Sequence, residues 1–477
     1  FDDAWYIVLG KALAGGEGFR MISSSAAPIM PTVPPGFPAL LAIVFAIVPS
    51  YPDNLMLLKS VSMVAMAGVG VACWIDLTRH REMPTLEAMW MAFAVVLTPS
   101  FVFLATSTVM AEGAFTLAQL VTVIAVERAV RRHPVDWRAP MVAGVIGAVT
   151  MLIRTAGVAV LAASIAYLVL QRRWRQAVIF ALTAAACLLP WELYARANAP
   201  TYEERLAHGG TFAFTYQQLL SMDRPGAANT DVSRDEMAVR MARNVADVSL
   251  RDIGASIVPA LYRGPSESGE EAFSVGRPGR GSMGVAPGTM VVSGALCLAI
   301  LTGIIRSGAW FSLPALLIGA TLAMILPVGA LTFRYVIPLV PFLLLFLWRS
   351  VAHSSAARIL VLTVLGFHLV DHALFLREKA TSTPPWIARA GDAEALLVWM
   401  SESLEGPGAV VSTNPGLVYL RTGRKGLATA DFAANWDRWK RNGVRYVAAL
   451  RPMALPPPRR QAKVLLKTKG LLWVVEM

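Results

Sequence analysis

The residues able to do chemistry are few and widely separated. Asp2 and Asp3 open the chain in FDDAWY, Glu112 stands in STVMAEGAFTL, Arg154 in MLIRTAGVAV, and Arg334 with Tyr335 in LTFRYVIPLVPF. A carboxylate within reach of a hydroxyl can act as its general base. Arginine presents planar, permanently charged donors that fit phosphate oxygens and can stabilise a phosphate as it leaves. Acids and arginines gathered in one place could therefore hold an anionic phosphate while a neighbouring hydroxyl is deprotonated. Each residue also has a plainer role. Asp2 and Asp3 could cap a helix, worth about 1 kcal/mol; Glu112 could be a solvated turn residue; both arginines could snorkel to lipid phosphates. Whether they share one side of the molecule decides between these roles.

Composition identifies what must position them. Of 477 residues, 56% are hydrophobic and 16% charged, with a mean hydropathy of +0.55; soluble domains carry about 25% charged residues. Apolar runs near the ~20 residues that cross a bilayer recur along most of the chain. The fold class expected is all-α and polytopic, with about ten membrane spans at 57–77, 87–105, 113–127, 140–153, 155–170, 177–194, 288–305, 309–330, 335–348 and 356–375. The net charge of +12 does not indicate nucleic acid, because the arginines concentrate in short loops between spans, as in positive-inside topology and contact with anionic membrane lipids. Cys73, Cys187 and Cys297 fall within apolar runs and suggest neither a disulfide framework nor a metal site.

Basic clusters follow alternate spans: Arg79, His80 and Arg81; Arg128, Arg131, Arg132 and Arg138; Arg172, Arg173 and Arg175; Arg306; then Arg349 and Arg358. With all five inside, residues 1–56, the long loop 195–287 and the tail after 376 lie outside, and so do Asp2, Asp3, Glu112, Arg154 and Arg334. Counting GFPALLAIVFAIVPSY (36–51) as a span would reverse this arrangement, so it is read as an outer juxtamembrane helix, as is the opening stretch. The loop 195–287, with GPSESGEE and GRPGRGSMG, suggests mobility rather than a packed domain. Residues 1–375 form the expected catalytic membrane domain. From 380 to 477 the composition turns soluble, with strand-like AVVSTN, VRYVAAL and LLWVVEM and helix-like GDAEALLVWMSESLEGPG and DFAANWDRWKRNG, a small outer α/β domain. Phe1 follows no Met, and a further spanning helix is expected before it.

The chain contains no Walker A loop, HExxH or GxSxG pattern. His368 and His372 flank Asp371 at the end of the last span and are read as a helix-end cation pair. No cofactor is called for, and a divalent metal stays open.

On these residues the chain resembles the GT-C superfamily of membrane glycosyltransferases, in particular the bacterial branch similar to dolichyl-phosphate-mannose–protein mannosyltransferases and to the aminoarabinose transferase of lipid A. The resemblance rests on Asp2-Asp3-Ala-Trp-Tyr6, the Pro-rich VPPGFPALLA (33–42), Glu112 at the next outer turn, and Arg154-Thr-Ala-Gly157, with weaker echoes in LLPWELYAR (188–196) and Arg334-Tyr335-Val-Ile-Pro338. It implies Asp2 as the catalytic carboxylate assisted by Asp3 and Glu112, Tyr6 lining the sugar pocket, and Arg154 and Arg334 with Tyr335 holding a lipid phosphate. The partners implied are a polyprenyl-phosphate sugar donor and a protein, glycan or lipid acceptor, at a site on the extracytoplasmic side of the plasma membrane. Asp3 stands where nearer relatives often have Glu, and the Pro-rich segment lacks the Glu-Lys pair of the aminoarabinose branch. The alternative is a polytopic transporter or lipid flippase, which would place its charges near mid-bilayer.

Overall fold

The computed structural model describes residues 2–199, 233–257, 287–328, 333–351, isolated positions from 354 to 377, 385–428, 436, 439, 444–450, 463–467 and 472–476, leaving out 32, 133–135 and 407. The chain divides into two compact units, one of residues 59–192 and 217–382, the other of 1–58, 193–216 and 383–477.

The first unit is helical. Its elements include α3 (Leu55–Arg79), α4 (Thr85–Val96), α5 (Pro99–Thr106), α6 (Glu112–Arg131), α7 (Arg138–Ile153), α8 (Gly157–Leu170) and α9 (Trp174–Asn198). Among the described residues, four helices are long and apolar enough to cross a membrane: α3, α6, α9 and Phe333–Val351; α4 and α5, bent by 60°, make a fifth if they form one broken span. The protein is thus a multi-pass membrane protein. The expected count of about ten crossings is not confirmed among the described residues. Segments such as 140–153, 155–170 and 309–330 are apolar helices, but shorter ones. The segment 356–375, with His368, Asp371 and His372, lies largely outside the described residues.

Small residues let these helices approach closely, as membrane helix packing requires. Ala148, Ala184 and Leu188 form a buried cluster against Met151, Leu152 and Leu161. Polar ties add to the packing. Thr122 and Thr150 share a hydroxyl hydrogen bond of 2.9 Å between α6 and α7. Gln119 Nε2 donates to the Pro338 carbonyl at 2.8 Å.

The expectation of mobility for 195–287 holds for neither end of the segment 233–257. Ser233 and Glu236 form a reciprocal capping box that starts α10 (Arg234–Asp247). A π-turn (Val248–Asp252) and a short helix (Ile253–Ile257) follow. The Asn244 amide donates to the carbonyls of Leu326 and Val328 at 2.6 and 2.9 Å, fastening the segment to the bundle. The GPSESGEE and GRPGRGSMG stretches lie outside the described residues.

In the second unit, α1 (Asp2–Ala14) packs on α2 (Gly36–Ile47), with Tyr6 edge-on to Phe37 at 5.1 Å. At 12 residues α2 is too short to span a bilayer, in keeping with ~1.5 Å of rise per residue. The C-terminal part is a five-stranded sheet built from β1 (Ala409–Ser412), β2 (Gly426–Ala428), β3 (Val444–Ala449), β4 (Lys463–Lys467) and β5 (Trp473–Glu476), in the order β2-β1-β3-β5-β4. β1 is parallel to β2 and β3, whereas β5 is antiparallel to β3 and β4. Side chains alternate across the sheet: Tyr446, Ala448 and Val474 pack with Leu396, Leu397 and Met400, while Val447, Trp473 and Val475 pack with Trp436 and Trp439. The first cluster is covered by the long helix Pro385–Ser403. A shorter helix, Pro415–Thr422, joins β1 to β2, capped by Asn414, whose side chain accepts from Leu417 N–H at 3.1 Å. The helix expected in DFAANWDRWKRNG lies mostly outside the described residues.

Candidate functional site

Three of the singled-out residues meet. Glu112 is the first residue of α6, Arg154 follows the last residue of α7, and Arg334 is the second residue of the helical span Phe333–Val351. Arg334 donates twice to one Glu112 oxygen, Oε1, from Nη2 at 2.7 Å and Nε at 3.0 Å. Arg154 Nη1 lies 3.1 Å from the same oxygen. Its N–H is not directed there, however, and that nitrogen has no hydrogen-bond partner among the described residues. The contact is one of charge. The Arg154 guanidinium lies over the Tyr335 ring at 4.9 Å and the Phe115 ring at 6.0 Å, a cation–π geometry.

The local sequence explains the placement. In Arg154-Thr-Ala-Gly157, α7 ends and α8 begins within one tight turn. The Gly157 N–H donates to the Arg154 carbonyl at 2.8 Å. A Cβ on Gly157 would sit 2.5 Å from Met151 Cα, so only glycine lets the chain turn there and leave Arg154 at the helix end. On the other side, Ser62 Oγ donates to the Met110 carbonyl at 3.0 Å, fixing the turn that precedes Glu112.

Electrostatically the cluster is one carboxylate against two guanidinium groups. The Glu112 side chain is 1% exposed, while those of Arg154 and Arg334 are 12% and 17% exposed. Glu112 Oε2 is buried and accepts no hydrogen bond among the described residues. A buried, ion-paired carboxylate is poorly placed to exchange protons with a substrate; it gathers the two cations and leaves the cluster with a net positive charge. That excess suits an anion with several oxygens, such as a phosphate.

Asp2, Asp3 and Tyr6 belong to the other unit. Asp2 begins α1; Asp3 is half-buried and its Oδ1 accepts from Ala4 N–H at 3.1 Å. Tyr6 meets Phe37 edge-on as described.

A second charged cluster went unread in the sequence. At the far end of α6, Arg81 donates to Asp76 at 3.1 Å and to Glu127 at 2.8 Å, and His80 Nδ1 lies 3.4 Å from Asp76. Glu127 stands fifteen residues beyond Glu112, roughly 22 Å along the helix, so the two clusters mark opposite ends of α6. The signal was present: Asp76 and Glu127 are acids inside apolar runs, which are costly there without a partner. Among the described residues, no three His, Cys, Asp or Glu side chains are grouped to hold a metal ion.

No family model matches the chain, nor does any curated protein by sequence. Solved structures do. The chain is similar to the oligosaccharyltransferase AglB of Archaeoglobus fulgidus in complex with an inhibitory peptide and a dolichol-phosphate, with a TM-score of 0.53 and 14% identity over 94% of this chain and 65% of that one. It is similar to the Archaeoglobus fulgidus oligosaccharyltransferase tethered with an acceptor peptide containing the NVT sequon, with a TM-score of 0.54 and 12% identity over 93% and 64%. ArnT of Cupriavidus metallidurans bound to undecaprenyl phosphate aligns with a TM-score of 0.45 and 10% identity over 99% and 93%. The chain thus shares the fold of the two Archaeoglobus fulgidus structures, and it spans about 65% of the length of that protein.

Proposed function

We propose that the chain is an integral-membrane glycosyltransferase that moves a sugar from a polyprenyl-phosphate donor to an acceptor on the extracytoplasmic side of the plasma membrane. The observation that carries this reading is the convergence of Arg154 and Arg334, from helices far apart in sequence, on one buried carboxylate. Such a pair holds a phosphate at the end of a membrane helix while an isoprenoid tail stays in lipid. The AglB structure, of like fold, contains a dolichol-phosphate.

In the reaction, Asp2 takes the proton of the acceptor hydroxyl, with Asp3 beside it. The freed oxygen attacks the anomeric carbon as the bond to the phosphate oxygen breaks. The departing phosphate gains charge, and Arg154 and Arg334 stabilise it more strongly than in the ground state, which is the condition for lowering the barrier. Glu112 anchors the arginines. Tyr335 supports the Arg154 guanidinium, and Tyr6 borders the sugar.

A transporter or lipid flippase is the other class considered. The arginines stand at helix ends rather than at mid-span, which favours the transferase.

The test uses the full chain in lipid nanodiscs with undecaprenyl phosphate, read by native mass spectrometry. Arg154→Ala and Arg334→Ala should each weaken binding about tenfold, corresponding to ~1.4 kcal/mol. Asp2→Asn should abolish sugar transfer with lipid binding unchanged. Full affinity in both arginine variants would refute the site, and retained turnover in Asp2→Asn would refute the base.

A further inference from the structure

Two of the basic loops are joined at the end of α6 opposite Glu112. α6 ends at Arg131, and α9 begins at Trp174. The turn before α9 reaches across to α6: Arg173 Nη2 donates to the Val130 carbonyl at 3.1 Å, and the buried Gln176 amide donates to that of Ala129 at 3.2 Å. Two sets of three arginines meet at this joint, Arg128, Arg131 and Arg132 on α6 and Arg172, Arg173 and Arg175 at the turn. Acids do not balance them. Among the described residues none of the six is ion-paired; Glu127 is taken by Arg81 at 2.8 Å, and Asp136 Oδ1 accepts from the Arg138 N–H at 3.0 Å.

One of the six stands where an arginine is costly. α8 ends in a Schellman motif, with Arg172 N–H donating to the Val169 carbonyl and Arg173 N–H to that of Leu168, both at 2.9 Å. The motif holds Arg172 in the left-handed region, at φ +57°, a position that ordinarily takes glycine. The chain uses glycine there elsewhere: after the helix Pro287–Arg306, the same pair of bonds places Gly308 at φ +60°. A side chain in that region strains the backbone, and Arg172 is exposed, so packing does not account for it. Its charge does.

The partner is an anion at membrane depth. Both α6 and α9 are long enough to cross a bilayer, so their ends lie at the level of the head groups. Trp137 and Trp174, 53% and 62% exposed beside the arginines, are side chains that favour that level, and they point to lipid rather than nucleic acid. We propose that this joint binds one anionic phospholipid of the class with two phosphates in its head group, a diphosphatidylglycerol, with one phosphate on each set of arginines. A single phosphodiester would leave one set uncompensated. The site depends on the membrane class of the protein and not on the transferase reading.

The experiment uses the full chain in detergent micelles with added diphosphatidylglycerol, phosphatidylglycerol or phosphatidylcholine, read by native mass spectrometry and thermal melting. Diphosphatidylglycerol should be retained most tightly and raise the melting temperature most. Arg132→Gln and Arg172→Gly should each weaken its binding about fivefold, the worth of one arginine at a lipid surface, with undecaprenyl phosphate binding unchanged. Arg172→Gly should also raise the melting temperature of the lipid-free chain, because glycine relieves the strained turn; a purely structural role would leave lipid affinity where it is. Phosphatidylcholine retained as tightly as diphosphatidylglycerol, or full diphosphatidylglycerol affinity in both variants, overturns the site. Equal affinity for phosphatidylglycerol overturns the assignment of two phosphates, and variant-sensitive binding of an RNA oligonucleotide without any lipid preference overturns the choice of partner.

Discussion

Replacing Glu112 by Gln probes the arginine pair with the least change of shape. The side chain keeps its size and one oxygen, but the charge that holds two guanidinium groups within 3.1 Å of a single atom is gone. Breaking a buried ion pair by removing one partner typically costs about 3–5 kcal/mol, because the remaining charge is left without compensation. Arg154 and Arg334 are partly exposed, at 12% and 17%, and can recruit water, which favours the lower end, about 3 kcal/mol. Reversible unfolding of the full chain in mixed micelles, followed by tryptophan fluorescence, measures this loss. A double-variant cycle with Arg334→Met sharpens it, since residues in one network show coupling of about 0.5–3 kcal/mol. The double variant should therefore be less destabilised than the sum of the singles. A loss below about 1 kcal/mol, the worth of an exposed pair, together with strict additivity, would refute the anchoring role of Glu112.

Gly157→Val should cost at least about 1–3 kcal/mol through overpacking, because even the first added carbon meets Met151; it should also weaken undecaprenyl phosphate binding, and unchanged binding would show that the turn does not place Arg154. Arg81→Met, at the other end of α6, should destabilise by about 3–5 kcal/mol while leaving lipid-phosphate affinity intact; a thermal melt and native mass spectrometry separate the two. In the capping box, bonds to the Ser233 backbone and hydroxyl lower the Glu236 pKa from 4.5. A depressed folded value means that the stabilisation is present above pH 4.5 and disappears as pH falls through the lowered value. Hydrogen exchange of 234–247, corrected for intrinsic rates, should speed up only below that point, and Glu236→Gln should shift or remove the transition.

The membrane class and the helices were written locally. Long apolar runs can satisfy their backbone polar groups in lipid only by forming helices, so α3, α6 and α9 were legible at once, and prolines at 34, 35 and 38 with a short apolar run marked α2 as too short to cross. The sheet domain was partly legible: the buried strands β1, β3 and β5 are rich in Val and aromatic residues, whereas β2 has three residues and β4 is KVLLK, with no buried side chain, too short or too exposed for a pattern to register.

The sequence alone thus determined which residues carried charge where charge is expensive: Glu112, Arg154 and Arg334. Only the tertiary structure decided that Arg334, 222 residues from Glu112, donates to the carboxylate oxygen that Arg154 also approaches, and that Arg421 links Glu394 to the Tyr51 ring. Periodicity reports what each residue faces within its own element. The partner across the packed interface is set by helix ends, close-approach glycines and the order of packing, none of which has a sequence period.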